Sequence, residues 1–452
     1  MKKVRFTYNF LFTIAFLLSA PYYFWRLRRR GHWQKGFAQR FGKFDTAFKQ
    51  SITNRHVVWL HAVSVGEVNL CARIVHALEL RMPNLKLITS TTTTTGMGEL
   101  KKNLPTRVGK FYYPIDRRPY VHRALAALHP EAVVLVESEI WPNFLWRLGD
   151  KQTPVFLINA RLSDRSYSRY RKLGWFFRPL FASFAGVGAQ TEADAVRLRE
   201  LGCRAEAVHV IGSLKFDAAN HPGGPGFDAP GLLRQLGVPA GARILVAGST
   251  HAGEEELLAG QFTRLRKQFP DLFLVLVPRH FERGRDVGDI LRTHGLRFAF
   301  RNGMSRTTTY PPGQLDCLLV NTTGELRAFY ACATVVFVGK SITARGGQNP
   351  IEPAVLGKAV VFGPNMQNFT EVVRTFLDQD GAVQVKDAAG LEAALADLFA
   401  RPERREELAN HARKVVDQNL GAVDRTVEMI TKHLHGSEIY IPAERHAGLQ
   451  RG

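Results

Sequence analysis

Three glutamates stand where apolar runs give way to polar turns, and a carboxylate in such a place needs a partner or a task. Glu67 follows Val57-Val58-Trp59-Leu60, inside His61-Ala62-Val63-Ser64-Val65-Gly66-Glu67-Val68. Glu137 and Glu139 follow Ala132–Val136, inside Glu137-Ser138-Glu139-Ile140-Trp141-Pro142-Asn143. Such carboxylates can take a proton, hold an arginine or cap a helix. Ser64-x-x-Glu67 fits a capping box, in which each side chain satisfies a backbone N–H at a helix start. Glu137 and Glu139 share one face if the strand continues through them, and proton chemistry and arginine pairing are both open to them. Ser90, Thr91–Thr95 and Gly96 form a hydroxyl-rich turn able to bind a hydroxylated or anionic ligand, or simply to make turn hydrogen bonds. Arg161, Arg165, Arg169, Arg171, Lys172 and Arg178 interleave with Tyr167, Tyr170, Trp175, Phe176 and Phe177. That pattern suits lipid phosphates, single-stranded nucleic acid or a solvated face.

The elements that must position these residues alternate. Strand-like runs at Val57–Leu60, Leu85–Thr89, Val108–Tyr113, Ala132–Val136, Val155–Ile158 and Val208–Ile211 are separated by helical patterns, which predicts a parallel sheet with crossover helices. Cys71, Ile74, Val75 and Leu78 give the three- and four-residue spacing of a helix after Glu67. In such sheets ligands bind at the carboxyl ends of the strands, where the three glutamates lie. Pro and Gly cluster around residues 220–231 as a boundary. A second set of strands follows at Ile244–Ala247, Leu272–Val277, Leu318–Val320, Val335–Val338 and Val360–Phe362. Gly248-Ser249-Thr250-His251 opens a helix whose N–H groups and hydroxyls suit a phosphate. Glu254, Glu255 and Glu256 are expected to complement its dipole and point away from that phosphate. Arg279 ends a strand where it can make a charge-assisted contact to a phosphate, and Glu352 opens a helix where it can accept from a ribose diol. Leu391 to Val416 reads as helical, Val423–Leu434 as a return to the first half, and 435–452 as a polar tail.

With 452 residues, 45% apolar and 22% charged, the chain is globular with material for two substantial cores. A formal charge of +21 calls for an anionic partner. The first fifty residues carry eleven Lys/Arg against the single acid Asp45. The apolar run Phe6–Trp25 lies between Lys2, Lys3, Arg5 and Arg26, Arg28, Arg29, Arg30, which predicts an anchor at a membrane, spanning it or lying in its interface. The larger downstream basic cluster favours a cytoplasmic body. Cys71, Cys203, Cys317 and Cys332 lie far apart, without metal-ligand spacing, and read as core residues of a reducing compartment.

Taken together, His61–Val68, Ser90–Gly96, Glu137–Asn143, Asn159–Arg165, Gly212–Asp217, Gly248–Glu255, Val277–His280 and Gly346–Pro353 resemble, in order, the motifs of the Kdo (3-deoxy-D-manno-octulosonic acid) transferases of lipopolysaccharide assembly. The resemblance spans residues 20-odd to about 430. It implies an α/β protein with two Rossmann-like domains facing across a cleft, the glycosyltransferase B type, with an N-terminal hydrophobic anchor helix. The corresponding divisions are 1–30 for the anchor, 31–216 for an acceptor-binding domain, 217–240 for a linker region, 241–434 for a CMP-sugar-binding domain with terminal helices, and 435–452 for the tail. It further implies transfer of Kdo from CMP-Kdo to a lipid A precursor (lipid IVA) at the inner membrane, with no metal, no cofactor and no nucleic acid. Carried over by position, Glu67 matches the proton acceptor, and Glu137 and Lys215 match transition-state stabilisers. CMP contacts fall on Pro278, Arg279, Thr323, Gly324, Glu325, Asn349, Pro350, Ile351 and Glu352. Gln348 stands where many members have His, and Lys340 where they have a second Gly.

On this basis the acceptor hydroxyl loses its proton to Glu67 as it attacks the anomeric carbon, with inversion. Lys215, Arg279 and helix N-termini then stabilise the departing phosphate. A UDP-sugar transferase or epimerase of the same architecture is the first alternative. A membrane-anchored nucleic-acid binder, whose affinity would fall steeply with salt, is the second.

Overall fold

The computed structural model describes residues 2–29, 34, 36–137, 139–220, 227–305 and 307–434. Arg30, Ser138, His221–Gly226 of the linker and the 435–452 tail lie outside the described residues.

Chain contacts divide the protein into two compact units, Met1–Ala218 with Gly421–Gly452, and Ala219–Leu420. Among the described residues the first is built on seven parallel strands: β1 (Val57–His61), β2 (Lys86–Thr91), β3 (Gly109–Tyr112), β4 (Ala132–Val136), β5 (Val155–Ala160), β6 (Gly186–Ala189) and β7 (Val208–Val210). Their order is β3-β2-β1-β4-β5-β6-β7. Because strand side chains alternate between faces, Trp59 enters one core with Ile88, Phe111, Val133 and Phe144. Its neighbours Val58 and Leu60 enter another, with Ile74, Val75, Val134 and Ile158. Burial on both faces is what a parallel sheet covered by helices requires, and it explains why these strands read as unbroken apolar runs.

The second unit repeats the plan with β8 (Ile244–Thr250), β9 (Phe273–Pro278), β10 (Phe298–Phe300), β11 (Cys317–Leu319), β12 (Val335–Val338), β13 (Ala359–Phe362) and β14 (Val383–Gln384), in the order β10-β11-β9-β8-β12-β13-β14. All its strand pairs are parallel. Strand order therefore reverses beside β1 in one sheet and beside β8 in the other. Crevices at such switch points are where doubly wound sheets bind ligands.

Several boundaries differ from those expected. The helical stretch 391–416 is two helices, Ala388–Ala400 and Pro402–Asn419, because Pro402 lacks the N–H that a continuous helix needs. The 217–240 region contains the helix Ala229–Gln235, capped by Asp228 and packed with Leu232 and Leu233 buried. The second unit ends at Leu420, not at 434. The helix Ala422–Thr431 places Val427, Met429 and Ile430 in the first unit's core. Asp217 fixes the return by accepting the N–H groups of Gly421 (2.8 Å) and Val423 (2.9 Å).

At the amino end one helix runs from Lys2 to Arg29, and its Lys2–Trp25 portion is long and apolar enough to cross a membrane. Phe6, Phe10, Leu11, Leu17, Leu18 and Trp25 are exposed on it.

Candidate active site

In the first unit the switch point lies between the ends of β1 and β4, adjacent in register from Val58–Ala132 to His61–Leu135. Beyond β1 the chain turns into the helix Val65–Arg81, with Ser64 as N-cap. The capping box forms. Ser64 Oγ accepts the Glu67 N–H (3.2 Å) and donates to Glu67 Oε1 (2.7 Å), while the Val63 N–H donates to Oε2 (2.9 Å). The carboxylate is thus oriented by two donors and stays half-exposed. Thr91 and Thr93 hydroxyls both donate to the Val63 carbonyl (3.3 and 3.2 Å), so the threonine tract supports the turn that carries Glu67. Gly96 is required there, since a Cβ would lie 2.4 Å from Thr91 Oγ1 and 2.8 Å from Thr93 Oγ1.

Glu137 leaves β4 with φ of 64°, and Asn159 at the end of β5 has φ of 52°. Left-handed backbone at residues other than glycine costs roughly 1–3 kcal/mol and collects at functional sites. Here Asn159 links the two predicted stabilisers: its Nδ2 donates to Glu137 Oε1 (3.5 Å), and its Oδ1 accepts the N–H of Leu214 (3.2 Å), beside Lys215. Arg161 approaches Glu137 at 3.9 Å. Burial raises the pKa of Glu137 and the Glu67 charge adds to it, against Arg161 and Lys215. Burial lowers the pKa of Lys215, helped by Arg161 and opposed by Glu137. Glu137 therefore feels the charges of Glu67, Arg161 and Lys215.

Glu139 joins them. It accepts from Trp141 Nε1 (2.7 Å), lies 3.9 Å from His61 Nε2, and is pushed up to about 7 by burial and then by the Glu67 and Glu137 charges, against the Trp141 bond. His61 is buried against Tyr113, with rings 4.0 Å apart, and its Nδ1 meets Ser90 O (3.1 Å) and Oγ (2.9 Å). Burial lowers its pKa to about 3, so the imidazole is neutral. Asn159 carried no role in the sequence reading, and Glu139 and Arg161 only the general ones of a carboxylate at a strand end and of a basic stretch, although all three lie inside the quoted motifs.

In the second unit, Pro278 ends β9 and Arg279 is exposed just beyond it, its N–H bonded to Thr250 O (3.0 Å). Glu352 opens the helix Ile351–Val355 and accepts from Asn349 Nδ2 (3.1 Å), while Asn349 Oδ1 caps Ile351 N–H (3.1 Å). Pro350 and Ile351 are buried beneath them. Burial raises the pKa of Glu352; Asn349, Arg327 and Arg279 oppose it. Arg279 and Glu352 thus belong to one electrostatic neighbourhood. Thr323 and Gly324 (φ 87°) form an exposed tip, whereas Glu325 is committed: Arg301 grips both its oxygens (2.9 and 3.0 Å) and Thr322 donates to it (2.7 Å).

All three of the 254–256 glutamates stand in the helix's first turn as expected, but two of them do more than complement its dipole. Glu254 and Glu255 are fully buried. Glu254 accepts four backbone N–H groups, from His251 (2.9 Å), Lys340 (2.7 Å), Ser341 (2.8 Å) and Ile342 (3.0 Å), and so fastens the loop after β12 to the turn after β8. Glu255 pairs with Arg283 (2.7 Å) and accepts the Thr250 hydroxyl (3.0 Å). That hydroxyl is therefore not available to a phosphate as expected. Lys340 holds φ of 57° in this loop and raises the positive potential at His251, which lies 3.4 Å from Gln348.

The family model described as 3-deoxy-D-manno-octulosonic-acid transferase (kdotransferase) matches residues 35–218, ending where the first unit gives way to the second. Among curated relatives, a 3-deoxy-D-manno-octulosonic acid transferase of Haemophilus influenzae is 30% identical over 89% of this chain and 92% of its own length. One from Bordetella pertussis is 32% identical over 93% and 98%. Among solved structures, the UDP-GlcNAc 2-epimerase of Neisseria meningitidis aligns with a TM-score of 0.55 at 14% identity, over 83% of this chain and all of that one. The last likeness concerns the fold, which is that of two doubly wound α/β domains of the glycosyltransferase B type. Sequence identity of that extent, running through both units, makes this chain a member of the Kdo transferases, the glycosyltransferases that add Kdo in lipopolysaccharide synthesis.

Proposed function

We propose that the protein transfers Kdo from CMP-Kdo to the lipid A precursor lipid IVA, with inversion and without a metal. The observation that carries this reading is the convergence of Glu67, Glu137, Arg161 and Lys215 at the first unit's switch point, in a chain of this family. Glu67 takes the acceptor proton. Its two oxygens each accept one hydrogen bond, which orients the group and leaves each a lone pair. Glu137 and Lys215 face the oxocarbenium-like charge and the departing phosphate. Their positive partner Arg161 supplies charge that a divalent cation would otherwise provide. Pro278, Arg279, Thr323, Gly324, Glu325, Asn349, Pro350, Ile351 and Glu352 form the CMP site. Glu325 acts through its Arg301 pair, shaping the 323–324 tip.

Residues 1–30 hold the protein to the inner membrane with its body on the cytoplasmic side. Support comes from the exposed apolar residues of Lys2–Trp25 and from the basic residues that follow them. The basic surface serves acidic lipid, with nucleic acid not a partner. Mass spectrometry of lipid IVA incubated with the protein and a CMP-Kdo supply, with and without chelator, tests the reading. A Kdo adduct of unchanged yield in chelator is expected. Turnover of UDP-sugars with none from CMP-Kdo would sink it.

A further inference from the structure

The helix Lys2–Arg29 has two unlike faces. One is apolar and exposed; the other is bound to the body of the first unit by polar side chains, which attachment to lipid does not require. Arg5 pairs with Asp150 (2.9 Å), and Asn9 Nδ2 donates to Asn143 Oδ1 (3.0 Å). Tyr8 stacks edge-on to Trp146 and donates its hydroxyl to Asp116 Oδ2 (2.9 Å). Asp116 is 1% exposed, so each of its bonds matters. The same carboxylate accepts the N–H groups of Asn143 (3.1 Å) and Phe144 (2.9 Å), and the main-chain carbonyl of Asp116 accepts from Asn143 Nδ2 (2.6 Å). Asn143 and Phe144 begin the helix Pro142–Asp150, whose own N-cap residue, Trp141, contributes no side-chain cap. Asp116 is therefore that helix's cap, supplied from outside. Immediately before it stand Trp141, which holds Glu139 through its indole N–H, and Glu137.

We propose that the amino-terminal helix is a strut as well as an anchor. Tyr8 and Asn9 hold Asp116 and Asn143 so that the segment from Glu137 to Trp141 is set for the acceptor, and Tyr8 and Asp116 are positioning residues for transfer. The proposal rests on the reading that Glu137 acts in the reaction. It also fixes how the anchor sits. Residues 5–9 are tied to the protein body, so the start of the helix lies along the protein and its outward residues meet the lipid surface.

Full-length Tyr8→Phe protein in lipid nanodiscs tests this by hydrogen exchange and by kinetics on CMP-Kdo and lipid IVA. Loss of one hydrogen bond to a carboxylate should speed amide exchange in residues 139–146 about ten- to a hundredfold. The amides of β5 should keep their rates. A fall in kcat of similar size, with KM for CMP-Kdo unchanged, is expected; a merely structural role would not give that split. Unchanged exchange in 139–146, or faster exchange with unchanged kcat, overturns the strut. Should Tyr8→Phe fail to fold, Asn9→Ala removes the Asn143 link, together with a bond inside the helix to Arg5 O (2.7 Å), and must move both readouts the same way. Exchange needs no substrate, so wild-type protein inactive on CMP-Kdo would count against the transfer reading, and exchange alone would then decide the strut.

Discussion

Replacing Glu254 by glutamine should loosen the second unit from within its core. In the native protein Oε1 accepts from Ser341 and Ile342, and Oε2 from His251 and Lys340. Glutamine keeps one acceptor oxygen for one pair and turns an NH2 toward the other pair. Two buried N–H groups then lose their acceptor at about 1–3 kcal/mol each. Single substitutions seldom exceed about 4–5 kcal/mol, so a loss of about 2–5 kcal/mol is expected. The loop has little to resist this with, since Lys340 already sits at φ of 57°. All six tryptophans precede residue 219, so fluorescence follows the first unit only. Native-state hydrogen exchange of β8 and β12 against urea is the suitable assay, with CMP affinity read alongside it. A change below about 0.5 kcal/mol in β12, the size of an ordinary surface substitution, would refute the idea that this carboxylate fastens the loop.

Glu67→Gln should cut turnover by about 100-fold or more while the melting temperature holds, because the amide oxygen can still accept one capping bond; near-normal turnover would remove the proton-acceptor role. Glu139 binds more protons folded than unfolded, its pKa rising from 4.5 to about 7. Stability must therefore fall as pH climbs from about 4.5 to about 7 and level off above. Glu139→Gln should shrink that slope in urea midpoints taken across the window, with Asp116, also raised to about 7 by burial, supplying what is left. Gly96→Ala should displace the Thr91 and Thr93 hydroxyls from the Val63 carbonyl, costing about 1–3 kcal/mol by overpacking and lowering kcat through Glu67. Unchanged kcat in a destabilised variant would separate the threonines from catalysis.

The grouping of Glu67, Glu137 and Glu139 at the switch point was legible because strand ends carry it: a carboxylate or arginine after an apolar run shows in the sequence. Inward or outward aim at a helix start does not. Glu254 and Glu255 look like dipole partners until the loop after β12, some 85 residues on, brings its N–H groups to one of them. Asp116 was missed for the same reason, since its partners Tyr8 and Asn143 are distant in the chain. β6 escaped the strand pattern because Gly186 and Gly188 hold two of its four positions. A Cβ at Gly186 would stand 3.0 Å from Phe156 and 3.1 Å from Met429 Sδ, so close packing selected the residue that hides the strand. β10 and β14 are edge strands of three and two residues, too short for an alternation to show.

The return of the Ala422–Thr431 helix makes the second unit an insertion within the first. During synthesis the first sheet can form once residue 210 is made, yet one of its apolar faces waits for Val427, Met429 and Ile430. Some two hundred residues must be translated before that cover arrives, and Asp217 can close its clasp on Gly421 only then. A nascent chain arrested between those points would display a greasy, half-covered sheet. Cutting the polypeptide after Ala218 would leave the amino-terminal fragment in the same condition for good.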